Sequence, residues 1–327
     1  MPVGVISIGS HVPPRVVTNR EIAAWTGATE EWLAERTGVV ERRYAADEDA
    51  TSDLATLAAQ DALADLEPRV RKRLALLVVA TCTPDHPQPA TAALVQDRLG
   101  LTDVPAFDVN AVCSGFLYAL TITEAMLKER PDAYGLIVGA DIFSRIMDRR
   151  DRRTVSLFGD GAGAVVLGHV PDGYGILASR LRSDGTLHHL VGVEAGGTRS
   201  RLDEDALAAG RHLFQMDGRQ VREYAMTTLE RIIEETLADC GMKIDEVDRF
   251  VFHQANTRLL ESFAATLGID SARVALTAPH LGNTAAASVP LTLHHAHRTQ
   301  PLRRGELLLF ASIGGGMTAG CALTRWY

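Results

Sequence analysis

Three stretches of the chain place reactive side chains where a strand gives way to a helix. In FDVNAVCSGFLYALTITEAMLKER a strand ends and a helix begins at or just after Cys113. A thiol at a helix N-terminus feels the positive end of the aligned peptide dipoles, so its pKa is expected to fall toward a reactive thiolate. Gly115 is expected to let a substrate approach the turn closely. A cysteine is ordinarily just a buried apolar group; the strand–Cys–small–Gly–helix setting distinguishes this one. Cys240 and Cys321 have no such setting and Cys82 merely ends a strand, so these three read as structural. In RFVFHQANTRLLESF, His253 ends an apolar strand and a helix follows through Gln254, Ala255 and Asn256. Its plain alternative is a core histidine bonded to backbone. In HLGNTAAASVPL, Asn283 follows a strand and opens a helix of Ala and Ser. Its plain alternative is a turn or N-cap asparagine.

His253 lies 140 residues after Cys113, and Asn283 lies 30 further on. That order fits a papain-like protease or thioester chemistry with a cysteine nucleophile. Papain-like enzymes carry the cysteine near the mature N-terminus within a signature this chain lacks. They are usually disulfide-bonded, and a duplicated α/β pattern does not suit them. Thioester chemistry is the reading that survives.

Short apolar, β-branched runs mark the strands that position these residues. They are Gly4–Ile8, Leu74–Ala80, Ala106–Asn110, Gly135–Gly139, Ala164–Leu167, Gly175–Ser179, Arg249–His253, Arg273–Leu276, Glu306–Ser312 and Gly320–Thr324. Helical spacing appears over Asp53–Leu66, Ala90–Leu99, Ser114–Glu129, Gly218–Ala238, Thr257–Leu267 and Ala285–His297. Strands alternating with helices mean an α/β fold. The order also repeats. LALLVVAT, AFDVNAVCSG, YGLIVGAD and GDGAGAVVLG in the first half answer to VDRFVFHQ, ARVALTAPHLGNT, ELLLFASIG and GGGMTAGCALT in the second. The expected division is 1–170 and 171–327, joined near HVPDGYG. In this repeat the Asn283 loop takes the place of the Cys113 loop, so a pseudo-twofold axis brings the two to one spot. The glycine-rich strands predict backbone packed closely on backbone. The polar stretch Glu194–Ala209 reads as a surface excursion or lid.

The 327 residues suffice for a large core, and 46% hydrophobic with 23% charged residues is an ordinary globular composition. A net charge of −8 argues against binding nucleic acid or an anionic membrane. No apolar run approaches a membrane span. MPVGVISIGS has neither a basic n-region nor a cleavage site, and no cysteine pair has zinc-ligand spacing. A reduced, cytoplasmic protein is the expectation.

At the three reactive motifs, and around them, the sequence resembles the ketoacyl synthase III family of the thiolase superfamily. ISIGSHVPPRVVTN, WLAERTGVVERR, ATSDLA, DVNAVCSGF, GADIFSR, LFGDGAGAVVL, HQAN, GNTAAASVP and GGGMTAGCALTRW carry the resemblance from end to end. TPDHPQP, FDVNAVCSG and MDGRQVR look closer to an actinomycete subgroup that includes acetoacetyl-CoA synthases. The resemblance implies a five-layered αβαβα fold of two pseudo-symmetric halves, and a homodimer. It implies that Cys113 takes an acyl group from acyl-CoA, with the N–H groups of Cys113 and Gly315 as oxyanion hole. His253 and Asn283 are then implied to hold the carbonyl of a malonyl thioester, carried by CoA or acyl carrier protein, while CO2 leaves. No metal or redox cofactor is implied. Trp32 is implied to stack the CoA adenine, Arg36 and Arg152 to meet CoA, Asn256 to contact pantetheine, and Arg258 to receive a carrier protein. Three positions depart from the family pattern. Gln88 replaces an aromatic residue that caps the acyl pocket across the dimer interface, Arg222 replaces an adenine-stacking aromatic, and Arg153 replaces a glycine beside the CoA arginine.

Decarboxylative condensation is therefore the expected reaction. An acyltransferase that hands the acyl group to an alcohol, amine or carrier without decarboxylation is the alternative, with His253 as general base. A non-catalytic scaffold is disfavoured by the presence of all three reactive residues. The polar Gln88 at the pocket's closed end generates a first prediction, because burying an amide unpaired against an alkyl chain costs about 1–3 kcal/mol. Acetyl-CoA should be preferred over butyryl- and octanoyl-CoA. Gln88→Phe should keep acetyl use, and Gln88→Ala should admit longer chains. Steady-state kinetics on the three thioesters checks this; chain-length ratios unchanged by either substitution, or octanoyl preference in the wild type, would remove Gln88 as a gate.

Overall fold

The computed structural model describes residues 1–327. Five strands form one sheet in the order Val3–His11, Gly161–His169, Tyr134–Asp141, Leu74–Ala80, Ala106–Val109. Four form a second in the order Gly175–Ser183, Thr318–Arg325, Leu307–Gly314, Arg249–Phe252. Read this way, both sheets run through two antiparallel pairings and then a parallel one. The first adds one more parallel strand.

Layering follows from which faces are apolar. LALLVVA is nearly all apolar because both faces of its strand are covered. Helices Thr51–Ala64 and Thr91–Arg98 cover the outer face of the first sheet. Helices Gly115–Lys128 and Ser288–Thr299 lie between the two sheets. Gly218–Asp239 and Thr257–Thr266 cover the outer face of the second. The result is the expected five-layered αβαβα arrangement, and no helix is long and apolar enough to cross a membrane.

Glycine permits the close contacts at the centre. A Cβ on Gly139 would sit 2.4 Å from the Ala286 carbonyl oxygen, and one on Gly163 would sit 2.7 Å from the Leu291 nitrogen. The second-half turn and the helix after it can thus lie directly on the first sheet.

Two expectations need correction. Arg273–Leu276 is not a strand: a tight turn covers Ser271–Arg273, and pairing is limited to one parallel bridge between Phe250 and Val274. The reason is local. The Gln254 side-chain oxygen accepts from the Thr277 and Ala278 N–H groups at 2.9 and 3.1 Å, so the chain turns away. The segment Ala285–His297 is not one helix either; a tight turn over Ala285–Ala287 precedes the helix Ser288–Thr299. An N-terminal unit adds the strand pair Arg15–Thr18 with Glu41–Tyr44 and helices Asn19–Thr26 and Glu30–Thr37.

Gly139→Ala should destabilise the fold by about 1–3 kcal/mol, the cost of overpacking a filled site. Gly185→Ala has open space around it and should stay within about 0.5 kcal/mol of wild type. Chemical denaturation of both variants checks the contrast. A Gly139→Ala protein as stable as wild type would show that the central turn can shift freely.

Candidate active site

The two loops that carry Cys113 and Asn283 are built alike. Asn110 Oδ1 accepts the Val112 N–H at 3.2 Å, and Asn283 Oδ1 accepts the Ala285 N–H at 2.9 Å. Val112 and Ala285 both have a φ of 49°, a left-handed conformation that is unfavourable for any side chain and most of all for a β-branched one. Each is followed by a tight turn, Val112–Ser114 or Ala285–Ala287, and then by a central helix. Asn283 therefore matches Asn110 in this geometry, and the position matching Cys113 is Ala286. The two turns touch, and Cys113 and Ala285 belong to one buried cluster with Leu157, Phe158 and Phe214.

His253 joins them from the second sheet. Its N–H donates to Ala311 O at 2.8 Å, on the strand that runs into Gly314 and Gly315. The next N–H, of Gln254, donates to Ser288 Oγ at 2.6 Å, at the start of the helix after Asn283. A Cβ on Gly314 would meet Ala111 O at 2.6 Å, and one on Gly315 would meet Val112 Cγ2 at 3.4 Å. The backbone turns at Cys113 and Asn283 and the strand end at Gly315 thus lie against one another, and His253 is tied to them through Ala311 and, by its neighbour Gln254, through Ser288. The Gly315 N–H makes no hydrogen bond within the chain.

The place is dry. Cys113, His253 and Asn283 are 8%, 7% and 5% exposed. Burial, and then the Asp141 carboxylate, push the Cys113 thiol far above its ordinary value, against a smaller backbone hydrogen bond. Loss of water around a thiolate thus opposes the fall in pKa expected at the turn. Gly115 is also corrected, because a Cβ there would meet Ala80 and Ala286 rather than a substrate. Burial lowers His253 to about 4. Its Nδ1 is buried with no hydrogen-bond partner. The resting pair is a thiol and a neutral imidazole.

A cleft of about 1400 Å³ has buried Asn283 in its wall; Cys113, His253, Gly315, Trp32 and Arg152 do not line it. Arg36, Arg153, Arg222, Arg258 and Asn256 also line it, which puts exposed cations at the entrance of a protein with net charge −8. The Arg152 guanidinium lies over the Trp32 ring at 4.6 Å. Asn256 caps the helix Thr257–Thr266 through Leu259 N–H at 3.1 Å and donates to Arg36 O at 3.4 Å. Arg258 donates to Glu35 O and pairs with Glu261 at 3.0 Å. Leu207–Gly210 and His212–Asp217 line one wall, so of the stretch Glu194–Ala209 expected as a lid only Leu207–Ala209, at the end of the short helix Glu204–Ala208, reach the cleft. Gln88 is not among these residues; it sits in an exposed loop elsewhere on the chain. No group of His, Cys, Asp and Glu side chains is arranged to hold a metal.

Asp141 and Gln254 carry much of the site's hydrogen bonding, and the sequence reading gave neither a role. The visible signal for Asp141 was a carboxylate closing the apolar strand YGLIVGAD.

Comparison with known proteins agrees with this architecture. The profile described as 3-oxoacyl-(acyl-carrier-protein) synthase III matches residues 107–185, and its C-terminal counterpart matches 237–326. The acetoacetyl-CoA synthase NphT7 of Streptomyces sp. strain CL190 is 45% identical over 326 residues, 98% of each chain. The chain belongs to the ketoacyl synthase III family. The β-ketoacyl-(acyl-carrier-protein) synthase III of Rhodospirillum centenum is 44% identical over 326 residues, again 98% of each chain. The crystal structure of 3-oxoacyl-(acyl-carrier-protein) synthase III from Aquifex aeolicus VF5 superposes with a TM-score of 0.89 at 36% identity, covering 99% of this chain and 100% of that one. As a ketoacyl synthase III-type protein the chain is an acyl-transferring condensing enzyme.

The buried imidazole fixes the sign of a pH prediction. A pKa lowered from 6.5 to about 4 means that His253 stays neutral, and able to donate or accept, down to about pH 4. Between those values the unfolded chain binds a proton that the folded one does not, so acid erodes stability before it protonates the folded site. The initial rate of condensation by folded enzyme should show no histidine limb near 6.5. A limb there, or an NMR titration of His253 with a midpoint near 6.5, would contradict the dry site.

Proposed function

We propose that this enzyme condenses a short acyl-CoA, acetyl first, with a malonyl thioester through an acyl-Cys113 intermediate. The observation that carries the reading is the tether on Asn283. Its Oδ1 is held by the Ala285 N–H, so the free end of the amide is Nδ2, a donor in the wall of the cleft. A neutral imidazole and an amide N–H stabilise an enolate oxygen without supplying a base. Simple acyl transfer would use the imidazole as a base and has no use for the second donor.

In the first half-reaction His253 takes the thiol proton as Cys113 sulfur attacks the acyl-CoA carbonyl. The oxyanion accepts from the N–H groups of Cys113 and Gly315. CoA leaves with the proton, and the acyl group stays on sulfur. In the second, the malonyl thioester carbonyl accepts from His253 and Asn283. The bond to the carboxylate breaks, CO2 departs, and the electron pair resides on the enolate. Its carbon attacks the acyl-Cys113 carbonyl, the C–S bond breaks, the Cys113 sulfur takes up a proton from solvent to become the thiol again, and a 3-oxoacyl thioester leaves. Loss of CO2 supplies the driving force, so the reaction requires no cofactor.

The remaining assignments belong to this reading. Residues 1–170 supply the nucleophile and 171–327 the enolate site. Trp32 and Arg152 take the adenine, Arg36 a phosphate and Asn256 the pantetheine. Exposed Arg258 offers charge to an acidic carrier protein, and malonyl-CoA is the extender if that charge is dispensable. A homodimer places Gln88 of one chain at the acyl pocket of the other, in the cytoplasm where CoA thioesters are made.

Intact-protein mass should show one acetyl group on Cys113 after incubation with acetyl-CoA, and none on Cys113→Ala. Asn283→Ala should still acetylate yet release labelled CO2 from malonyl thioesters about 10²–10³ times more slowly. Normal condensation by Asn283→Ala would remove the enolate role. Acyl transfer to an alcohol or amine by wild type, with no CO2, would establish the acyltransferase reading instead.

A further inference from the structure

Asp141 ends the strand Tyr134–Asp141 and is completely buried. Every partner donates to it. Oδ1 accepts from the Cys82 N–H at 2.9 Å, the Thr83 N–H at 3.1 Å, the Thr83 hydroxyl at 2.8 Å, the Thr81 hydroxyl at 3.1 Å and the Cys82 thiol at 3.4 Å. The polarity of the hydroxyls is set from behind. Thr81 Oγ accepts the Thr83 N–H and Thr83 Oγ accepts the Ile142 N–H, which leaves both hydroxyl hydrogens available to Asp141. Burial raises the pKa of Asp141, and these donors oppose that rise and favour the carboxylate. Its other oxygen, Oδ2, accepts the Ala286 N–H at 2.9 Å.

That last bond joins the halves of the site. Ala286 lies three residues after Asn283, in the turn that matches the Cys113 turn. Cys82 packs against the cluster that contains Cys113 and Ala285. We propose that Asp141 is a positioning residue for the condensation step: its carboxylate fixes, through the Ala286 N–H, the turn that presents Asn283, and locks that turn to the Thr81–Thr83 loop beside Cys113. The inference rests on the enolate role of Asn283. A single ionised group does the work because it alone can accept on both oxygens at once. It also stands close enough to Cys113 to favour the thiol over the thiolate.

An amide in its place has one accepting end. Asp141→Asn would turn its oxygen toward the donors from Thr81, Cys82 and Thr83 and set an NH2 against the Ala286 N–H. The turn bearing Asn283 would then shift, whereas Cys113 and Gly315 keep their places. Displacement of about 1 Å costs roughly 10²-fold in rate.

The test uses the full-length protein, acetyl-CoA and labelled malonyl-CoA. Asp141→Asn should acetylate Cys113 nearly as wild type does and release CO2 about 10²-fold more slowly. Removal of a negative charge should also move Cys113 alkylation by iodoacetamide to lower pH, a change that a purely structural residue would not produce. Should the Asn variant not fold, Asp141→Glu keeps the charge and displaces the acceptor, so condensation should fall with the alkylation profile unchanged. Wild-type CO2 release by either folded variant overturns the role of Asp141. So does a parallel loss of acetylation and condensation with an unmoved alkylation profile in Asp141→Asn. Wild-type enzyme that acetylates but releases no CO2 overturns the condensation reading, and this inference with it.

Discussion

The Ala285–Ala287 turn rests on Gly139 with no side chain between them, since a Cβ there would lie 2.4 Å from the Ala286 carbonyl oxygen. Gly314 stands in the same relation to the Cys113 turn, with Ala111 O at 2.6 Å from the missing Cβ. These contacts let two turns from distant parts of the chain meet between two sheets. They also allow the left-handed Val112 and Ala285, because a conformation of that cost persists only where the surroundings over-determine it. Any larger residue at Gly139 would push the turn off the sheet and carry Asn283 with it.

Close packing excludes water, and dryness sets the chemistry. A thiolate–imidazolium pair stored at rest would hold two charges in a place where both are disfavoured. A thiol beside a neutral imidazole stores none. On the proposed reaction, charge arises only transiently, on oxygens that face fixed N–H donors, where a low dielectric makes those donors strong. Asp141 lies buried beside the site; burial raises its pKa, and its donor partners oppose that rise. The exposed arginines lie at the cleft, where water remains to solvate them and phosphates can reach.

Much of this was legible because the central strands are apolar on both faces. LALLVVA was bounded to the residue, and YGLIVGAD and GDGAGAVVLG were found short of their ends. ARVALTAP misled for a physical reason. Its alternation is that of a strand, but the Gln254 side chain takes the N–H groups of Thr277 and Ala278 after a single bridge. Helices Asn19–Thr26 and Glu30–Thr37 went unread since each is only 8 residues long and at least half polar. Their signals were the caps: Thr18 with Glu21 at one start, Thr29 at the other, and Gly27 and Gly38 at the ends. The thiol's raised pKa was not legible at all. A dipole argument sees the turn, whereas desolvation depends on the second sheet and the Phe143, Phe158 and Phe214 cluster that close over it.

One backbone device serves two chemistries here. In both turns an asparagine oxygen accepts the N–H two residues on, and a left-handed residue then aims a tight turn at the central layer. In the first half the residue after the left-handed one is Cys113, so the turn delivers sulfur. In the second half it is Ala286, which has nothing to deliver, and the turn's useful atom becomes the free amide end of the asparagine itself. Asn110 is exposed where Asn283 is buried, so only the second amide can act in a dry site. An alanine at 286 is also what a shared carboxylate requires. Its N–H meets Asp141 beneath the small side chain, and Gly139 lies immediately below its carbonyl. A reactive side chain at that position would compete for the same buried space as Cys113. On the proposed reaction, the two halves keep one geometry while dividing the work between nucleophile and enolate donor.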